Sequence, residues 1–270
     1  MSVELPGPAL LFCPADRPDR FAKAAERADG VILDLEDAVA AADRPAARAA
    51  LAAADLDPDR TIVRVNPVGT ADHVADLAAL ATTPFRTLMV AKAASAAALA
   101  TIDIRYRLIP LCETARGVIE AESLATLPTV IGLMWGAEDL VASLGGTSSR
   151  ARDGRYRDVA RHSRSRVLLA AGAYGLAAVD AVHIDIDDER GLAEEARDAA
   201  ASGFHATACI HPAQVAVVRA AYAPTVAEVA RARAVLAAAE DWAGVFAFDG
   251  AMVDEPLLRH ARAVVARAGG

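Results

Sequence analysis

Eight short apolar runs of β type recur along the chain with helical segments between them, and this alternation constrains the fold more than any other feature. The runs cover 9–14, 30–35, 61–66, 87–92, 107–113, 129–135, 181–186 and 206–211. Most are continuously apolar, as strands covered on both faces are. Alanine-rich stretches with helical periodicity, such as 20–28, 45–54, 71–81 and 158–174, lie between them. Strand and helix alternating eight times is the pattern of a closed (β/α)8 TIM barrel, an α/β fold of typically about 250 residues. An open doubly wound sheet is the runner-up, but the first strand is not followed by the G-x-G-x-x-G that a dinucleotide fold needs there.

A barrel does not need all the residues beyond its eighth strand. A helix opens in that tail at Thr225-Val-Ala-Glu228, a spacing in which each side chain satisfies the other's free backbone N–H. The segment 246–256 then breaks the helical pattern before a last amphipathic helix over 256–268. Irregular, glycine-containing and carrying three acids, it is expected to be a lid or an arm reaching a neighbouring subunit. No linker composition separates the parts. The chain is therefore expected to form one domain, with the catalytic barrel over 1–222 and a C-terminal helical extension and lid over 223–270.

Charge and composition exclude several functions. The net charge of −8 argues against a nucleic-acid surface. There is no apolar run of about 18 residues and no basic head with a leader-length apolar core, so no membrane association and a cytoplasmic location are expected. Cys13, Cys112 and Cys209 are widely spaced within apolar runs, which fits buried thiols and neither disulfides nor metal ligands. Lys23 and Lys92 are the only lysines, so a Schiff-base mechanism has few candidates.

Chemistry in a barrel is kept at the C-terminal ends of the strands. Those ends offer Asp16 and Arg17, then Glu36 and Asp37, Arg64 and Asn66, Lys92, Glu113, Glu138 and Asp139, Asp185 and Asp187, and His211. A single polar strand end means little, because loops are solvated. The stretch 108–140 carries more: one apolar run stops at Glu113 and the next at Glu138 and Asp139. Carboxylates at Glu113 and Asp139 on adjacent strands, an arginine two strands away and no cluster of His or Cys fit Mg2+ held by oxygen, with water and substrate completing its shell. His211 is expected to be structural, its ring bonding to backbone at the barrel end.

Seven motifs in order then give the sequence a resemblance. They are Leu11-Phe-Cys-Pro-Ala-Asp-Arg-Pro18, Val31-Ile-Leu-Asp-Leu-Glu-Asp-Ala-Val39, Arg64-Val-Asn66, Glu113-Thr-Ala-Arg-Gly117, Gly136-Ala-Glu-Asp-Leu140, Ile210-His-Pro212 and Gly250-Ala-Met-Val-Asp-Glu-Pro256. Along nearly its whole length the chain resembles the citrate lyase beta-subunit-like family of the HpcH/HpaI aldolase superfamily, nearest to its stand-alone actinobacterial members. The resemblance implies a TIM barrel, a homotrimer or hexamer, bound Mg2+ and an acyl-CoA substrate. It implies metal ligation by Glu113 and Asp139, and it gives Arg64 the oxygen on which negative charge develops. Glu36 and Asp37 resemble an acidic pair that orients a catalytic lid, and Asp254 matches an acid/base aspartate supplied by an adjacent subunit. Arg17, Arg20 and Lys23 stand where the CoA phosphates lie. Ala15, Ala91 and Thr207 depart from the family's glycine, proline and lysine, and Arg44 stands where many members have lysine.

The function expected from this likeness is reversible Claisen-type cleavage of a β-hydroxyacyl-CoA, of the malyl-, citramalyl- or 3-hydroxy-3-methylglutaryl-CoA class, to a short acyl-CoA and a keto acid. The rivals are a metal-dependent aldolase on free keto acids, a class I aldolase using Lys92, and a non-catalytic subunit of a citrate-lyase-like complex.

Overall fold

Eight parallel strands close into a barrel in chain order. The computed structural model describes residues 5–240 and 244–269. The barrel strands are β1 Ala9–Pro14, β2 Gly30–Asp34, β3 Thr61–Val65, β4 Thr87–Val90, β5 Arg107–Cys112, β6 Gly132–Trp135, β7 Ala177–Asp180 and β8 Ala206–Cys209. Closure is made by β1 on β8, with Leu10 opposite Ala208 and Leu11 opposite Cys209. The helices of this part are α1 Phe21–Arg27, α2 Arg44–Ala52, α3 Ala71–Leu80, α4 Ala96–Leu99, α5 Ala115–Ala125, α6 Ala137–Ser143, α7 Asp158–Ala173, α8 Glu189–Ser202 and α9 Pro212–Tyr222. The three cysteines are buried, as expected. Among the described residues no helix is long and apolar enough to cross a membrane.

One apolar cluster contains side chains from all eight strands, among them Leu10, Ile32, Ile62, Met89, Ile109, Met134, Val179 and Ala208. Branched residues beside alanines of β8 let this cluster close without large rings, which suits a chain with only 4% aromatic residues. Burying such side chains contributes about 1.5–3 kcal/mol each for the larger ones.

The seventh strand corrects the reading of the sequence. Expected over 181–186, it lies at Ala177–Asp180, and the alternating Val182, Ile184 and Ile186 belong to the following loop. Ile184 and Ile186 are 48% and 43% exposed, so their pattern marks no buried face. Asp180 is thereby the strand-end acid in place of Asp185 or Asp187. The other seven strands fall where expected, within the fraying of a few residues usual at such ends.

Contacts divide the chain into one compact unit up to Val218 and another from Arg219 onward. The second contains α10 Val226–Ala239, the hairpin strands β9 Phe246–Phe248 and β10 Ala251–Val253, and α11 Glu255–Ala268. Its core is Ala232, Val235, Phe246, Val253, Ala261 and Val264. Both halves of the Thr225–Glu228 capping box form, at 3.2 and 2.7 Å. The expected irregular segment is instead a hairpin: Asp249 and Gly250 both take positive φ, 48° and 74°, as a two-residue Asp-Gly turn requires.

Candidate active site

Register on adjacent strands sets the first element of the site, because Asp34 on β2 and Arg64 on β3 are directly opposite each other. Arg64 donates through Nε to Asp34 Oδ1 at 2.7 Å and through Nη2 to Oδ2 at 2.6 Å. The same carboxylate accepts the backbone N–H of Glu36 at 2.9 Å and of Ala38 at 3.1 Å. One buried acid thus clamps a guanidinium and folds the turn that follows its own strand. Arg64 Nη1 lies 3.2 Å from Glu36 Oε2, and its guanidinium sits 4.9 Å over the Phe12 ring. Burial works against the charge of Arg64, but the hydrogen-bonded Asp34 outweighs it and the residue stays a cation, its pKa raised. Asp34 was not foreseen as a site residue, since it lies inside the run 30–35, whose end was read at Glu36 and Asp37. Its placement opposite an arginine was the available signal.

Lys92, just past β4, holds the next pair. Its Nζ binds Glu36 Oε1 and lies 3.0 Å from Asp37 Oδ2 and 3.9 Å from Asp139 Oδ1. Burial raises the Glu36 carboxyl above the usual range despite Arg64 and Lys92. Burial also acts on the exposed Asp37, but hydrogen bonds with Lys92 and Glu36 outweigh it and hold Asp37 low. Lys92 remains an ammonium: against its burial, the Glu36 and Asp37 carboxylates raise its pKa.

Glu113 follows β5 and is 3% exposed. Its Oε1 accepts the backbone N–H of Lys92 at 2.9 Å. Burial, with the charge of Asp139 added and Arg64 opposing, pushes its carboxyl up to about 8. Beside it lies Gly136, the N-cap of α6; a Cβ there would come within 2.7 Å of the Glu113 Cβ and 3.1 Å of Oε2. Asp139 and Glu138 occupy the first turn of α6. Glu138 is already engaged, its Oε1 accepting from Ser149 Oγ at 2.6 Å, whereas Asp139 is 40% exposed.

A cavity at the mouth is lined by several of these groups. Its polar wall holds Asp34, Arg64, Glu113, Glu138 and Asp139; its apolar wall and floor are Phe12, Leu111, Met134, Val182 and Ile210. The polar groups come from strands two, three, five and six and their loops, and the apolar residues from strands one, five and six and the loops after strands seven and eight. Among the described residues no three His, Cys, Asp or Glu side chains converge. Two hard oxygen donors beside a glycine that leaves them room nevertheless fit a Mg2+ that takes the rest of its shell from water and substrate.

Arg17, Arg20, Lys23 and His211 do not line this cavity. Arg17, Arg20 and Lys23 are exposed on the turn after β1 and on α1, and Arg17 pairs with Asp19 at 3.4 Å. Asp254, in the second unit, is the N-cap of α11, where Oδ1 accepts the Leu257 N–H at 3.4 Å. His211 Nδ1 accepts the Ala213 N–H at 3.3 Å, the backbone role expected of it. Behind the site a further network was missed: Asp180 accepts from Trp135 Nε1 at 2.5 Å and from Arg164 Nη2 at 2.8 Å. It fixes β6, β7 and α7 together just below α6.

Residues 9–212 match the model of the HpcH/HpaI aldolase/citrate lyase family. The chain is 58% identical over 269 residues to a citrate lyase subunit beta-like protein of Mycobacterium tuberculosis, covering 100% of this chain and 98% of that one. It is 30% identical over 294 residues to the mitochondrial citramalyl-CoA lyase of Rattus norvegicus, covering 97% and 86%. A crystal structure of CitE from Mycobacterium tuberculosis in complex with magnesium, acetoacetate and coenzyme A superposes with a TM-score of 0.93 at 58% identity, covering 98% of this chain and 99% of that one.

Proposed function

The chain belongs to the HpcH/HpaI aldolase/citrate lyase family, and from that premise we propose that it is a Mg2+-dependent carbon–carbon lyase acting on a β-hydroxyacyl-CoA. The reaction is reversible Claisen-type cleavage to a short acyl-CoA and a keto acid. One observation carries the reading: a buried guanidinium held in a fixed orientation shares a cavity with the carboxylates of Glu113 and Asp139. Magnesium, acetoacetate and coenzyme A in the crystal of the similar mycobacterial protein support the same ligand classes here.

Cleavage leaves an electron pair on the α carbon of the thioester, and that charge moves onto the thioester oxygen as an enolate. Arg64 meets it. With Nε and Nη2 spent on Asp34, its position costs no reorganisation when charge develops. Glu113 and Asp139 hold the metal, which when bound supplies a Lewis acid and template for the keto acid's oxygens. Asp254 of a neighbouring copy, within a homotrimer or hexamer, takes the hydroxyl proton on cleavage and delivers it to the α carbon of the enolate to give the acyl-CoA; on condensation it removes that α proton and returns it to the new hydroxyl. The extension from residue 223 is the lid that carries it, and Glu36 and Asp37 orient that lid. Arg17, Arg20 and Lys23, exposed and cationic, meet the CoA phosphates, and the enzyme works in the cytoplasm.

The test incubates the purified protein with Mg2+ and malyl-, citramalyl- and 3-hydroxy-3-methylglutaryl-CoA and follows products by mass. Acetyl-CoA with a matching keto acid is the expected result. Free CoA with an intact hydroxy acid would mean hydrolysis, cleavage of free acids would mean an aldolase, and no turnover of any thioester would leave the non-catalytic subunit.

A further inference from the structure

Lys92 is a lysine with φ of 50°, in the left-handed region that a side chain with a Cβ rarely adopts. Such strain persists only where the surroundings over-determine it. Here three consecutive amides are fixed to three groups: Ala91 N–H donates to Val65 O at 3.2 Å, Lys92 N–H to Glu113 Oε1 at 2.9 Å and Ala93 N–H to Leu111 O at 3.1 Å. From the other side, Gly117 in the first turn of α5 packs so tightly that a Cβ would lie 2.4 Å from Ala93 O. The twist turns the amide of Lys92 toward Glu113 and sends its side chain back to Glu36 and Asp37.

Four carboxylates, Glu36, Asp37, Glu113 and Asp139, therefore stand at the rim around one lysine. Lys92 Nζ contacts Glu36 and Asp37 closely and stands 3.9 Å from Asp139. We propose that Lys92 is a positioning residue that sorts these acids: its ammonium occupies Glu36 and Asp37 so that the cation settles on Glu113 and Asp139, while its backbone N–H fixes the Glu113 carboxylate. The inference rests on the metal reading given above. It also assigns the strand-end lysine a task other than Schiff-base chemistry, because an ammonium bound by carboxylates has no free electron pair to attack a carbonyl.

Lys92→Gly separates the two halves, since glycine takes the left-handed backbone without steric cost and keeps the N–H on Glu113 while removing the ammonium. Lys92→Met keeps the side-chain length and lacks the charge. Mn2+, a paramagnetic probe for the Mg2+ site, is titrated into metal-free wild type and both variants and read by electron paramagnetic resonance, with and without n-butylammonium. Wild type is expected to bind a single Mn2+ per chain, and each variant to bind an additional ion on the released Glu36 and Asp37. Butylammonium displaces the additional ion from Lys92→Gly, which has room for it, and raises that variant's kcat about tenfold; Lys92→Met responds to neither. Variants that bind a single Mn2+ at wild-type affinity overturn the proposal. Wild type that binds no Mn2+ is a different result, and overturns the metal reading together with it.

Discussion

Replacing Asp34 by Asn tests whether the arginine of the site is held or merely present. The substitution keeps size and shape but exchanges one acceptor oxygen for an NH2 group. In the wild-type protein Oδ1 meets Arg64 Nε and the Glu36 N–H, and Oδ2 meets Arg64 Nη2 and the Ala38 N–H, so either orientation of the amide sets a donor against donors. The side chain is wholly buried and water cannot relieve the mismatch. Glu36, at 3.2 Å, is then the remaining acid in contact with Arg64. Breaking one side of a buried ion pair costs about 3–5 kcal/mol; with Glu36 still present we expect about 2–4 kcal/mol, which lowers Tm by about 5–15 °C. Because the guanidinium also loses its orientation, kcat falls about a hundredfold with a smaller change in KM. Thermal unfolding and steady-state kinetics on the same preparations measure both. A Tm within about 2 °C of wild type together with an unchanged kcat would refute the clamp.

Glu113→Gln and Asp139→Asn should each abolish Mg2+ binding by calorimetry while leaving the far-ultraviolet circular dichroism intact, and excess EDTA should inactivate the wild type reversibly. The Glu113 carboxyl, at about 8 without metal, stabilises the metal-free fold fully below its ordinary value and loses that contribution as pH rises through 8. Mg2+ must displace that proton, so the Mg2+-induced rise in Tm should grow between about pH 6 and 9, and a shift independent of pH contradicts the assignment. Arg64→Lys should lower kcat by about a hundredfold or more, since one ammonium cannot reproduce the clamped fork; an unchanged kcat returns Arg64 to a structural role. Asp254→Ala and Arg64→Ala should be inactive alone and regain activity in mixed oligomers, and mixtures that stay inactive after verified subunit exchange place the acid/base group elsewhere.

The barrel was legible because seven of its strands are apolar runs bounded by polar loops, and a period of alternation needs no tertiary information to be seen. At the seventh, two adjacent apolar stretches competed, and periodicity cannot choose between Ala177–Asp180 and the residues just after it. What decided it was that Asp180 bonds to Trp135 and Arg164, partners far away in sequence. The hairpin in the tail was missed although Asp249-Gly250 announces it, because strands of three residues hardly register as a pattern. Within the site, Arg64, Glu113 and Asp139 were visible as polar strand ends. Asp34 and the backbone of Lys92 were not: the first matters through cross-strand register, the second through a conformation that lysine does not advertise.

The mouth of the barrel carries charged groups from strands two, three, five and six and, from strand one and the loops after strands seven and eight, a hydrocarbon wall of Phe12, Val182 and Ile210. Val182 and Ile210 offer only shape, whereas Phe12 also lies against the Arg64 guanidinium. Descendants of such a chain can enlarge or narrow that wall one methylene at a time, each step altering preference among substrates by about 1–3 kcal/mol, while the machinery opposite stays as it is. A lineage built this way diversifies in what it accepts long before it changes what it does.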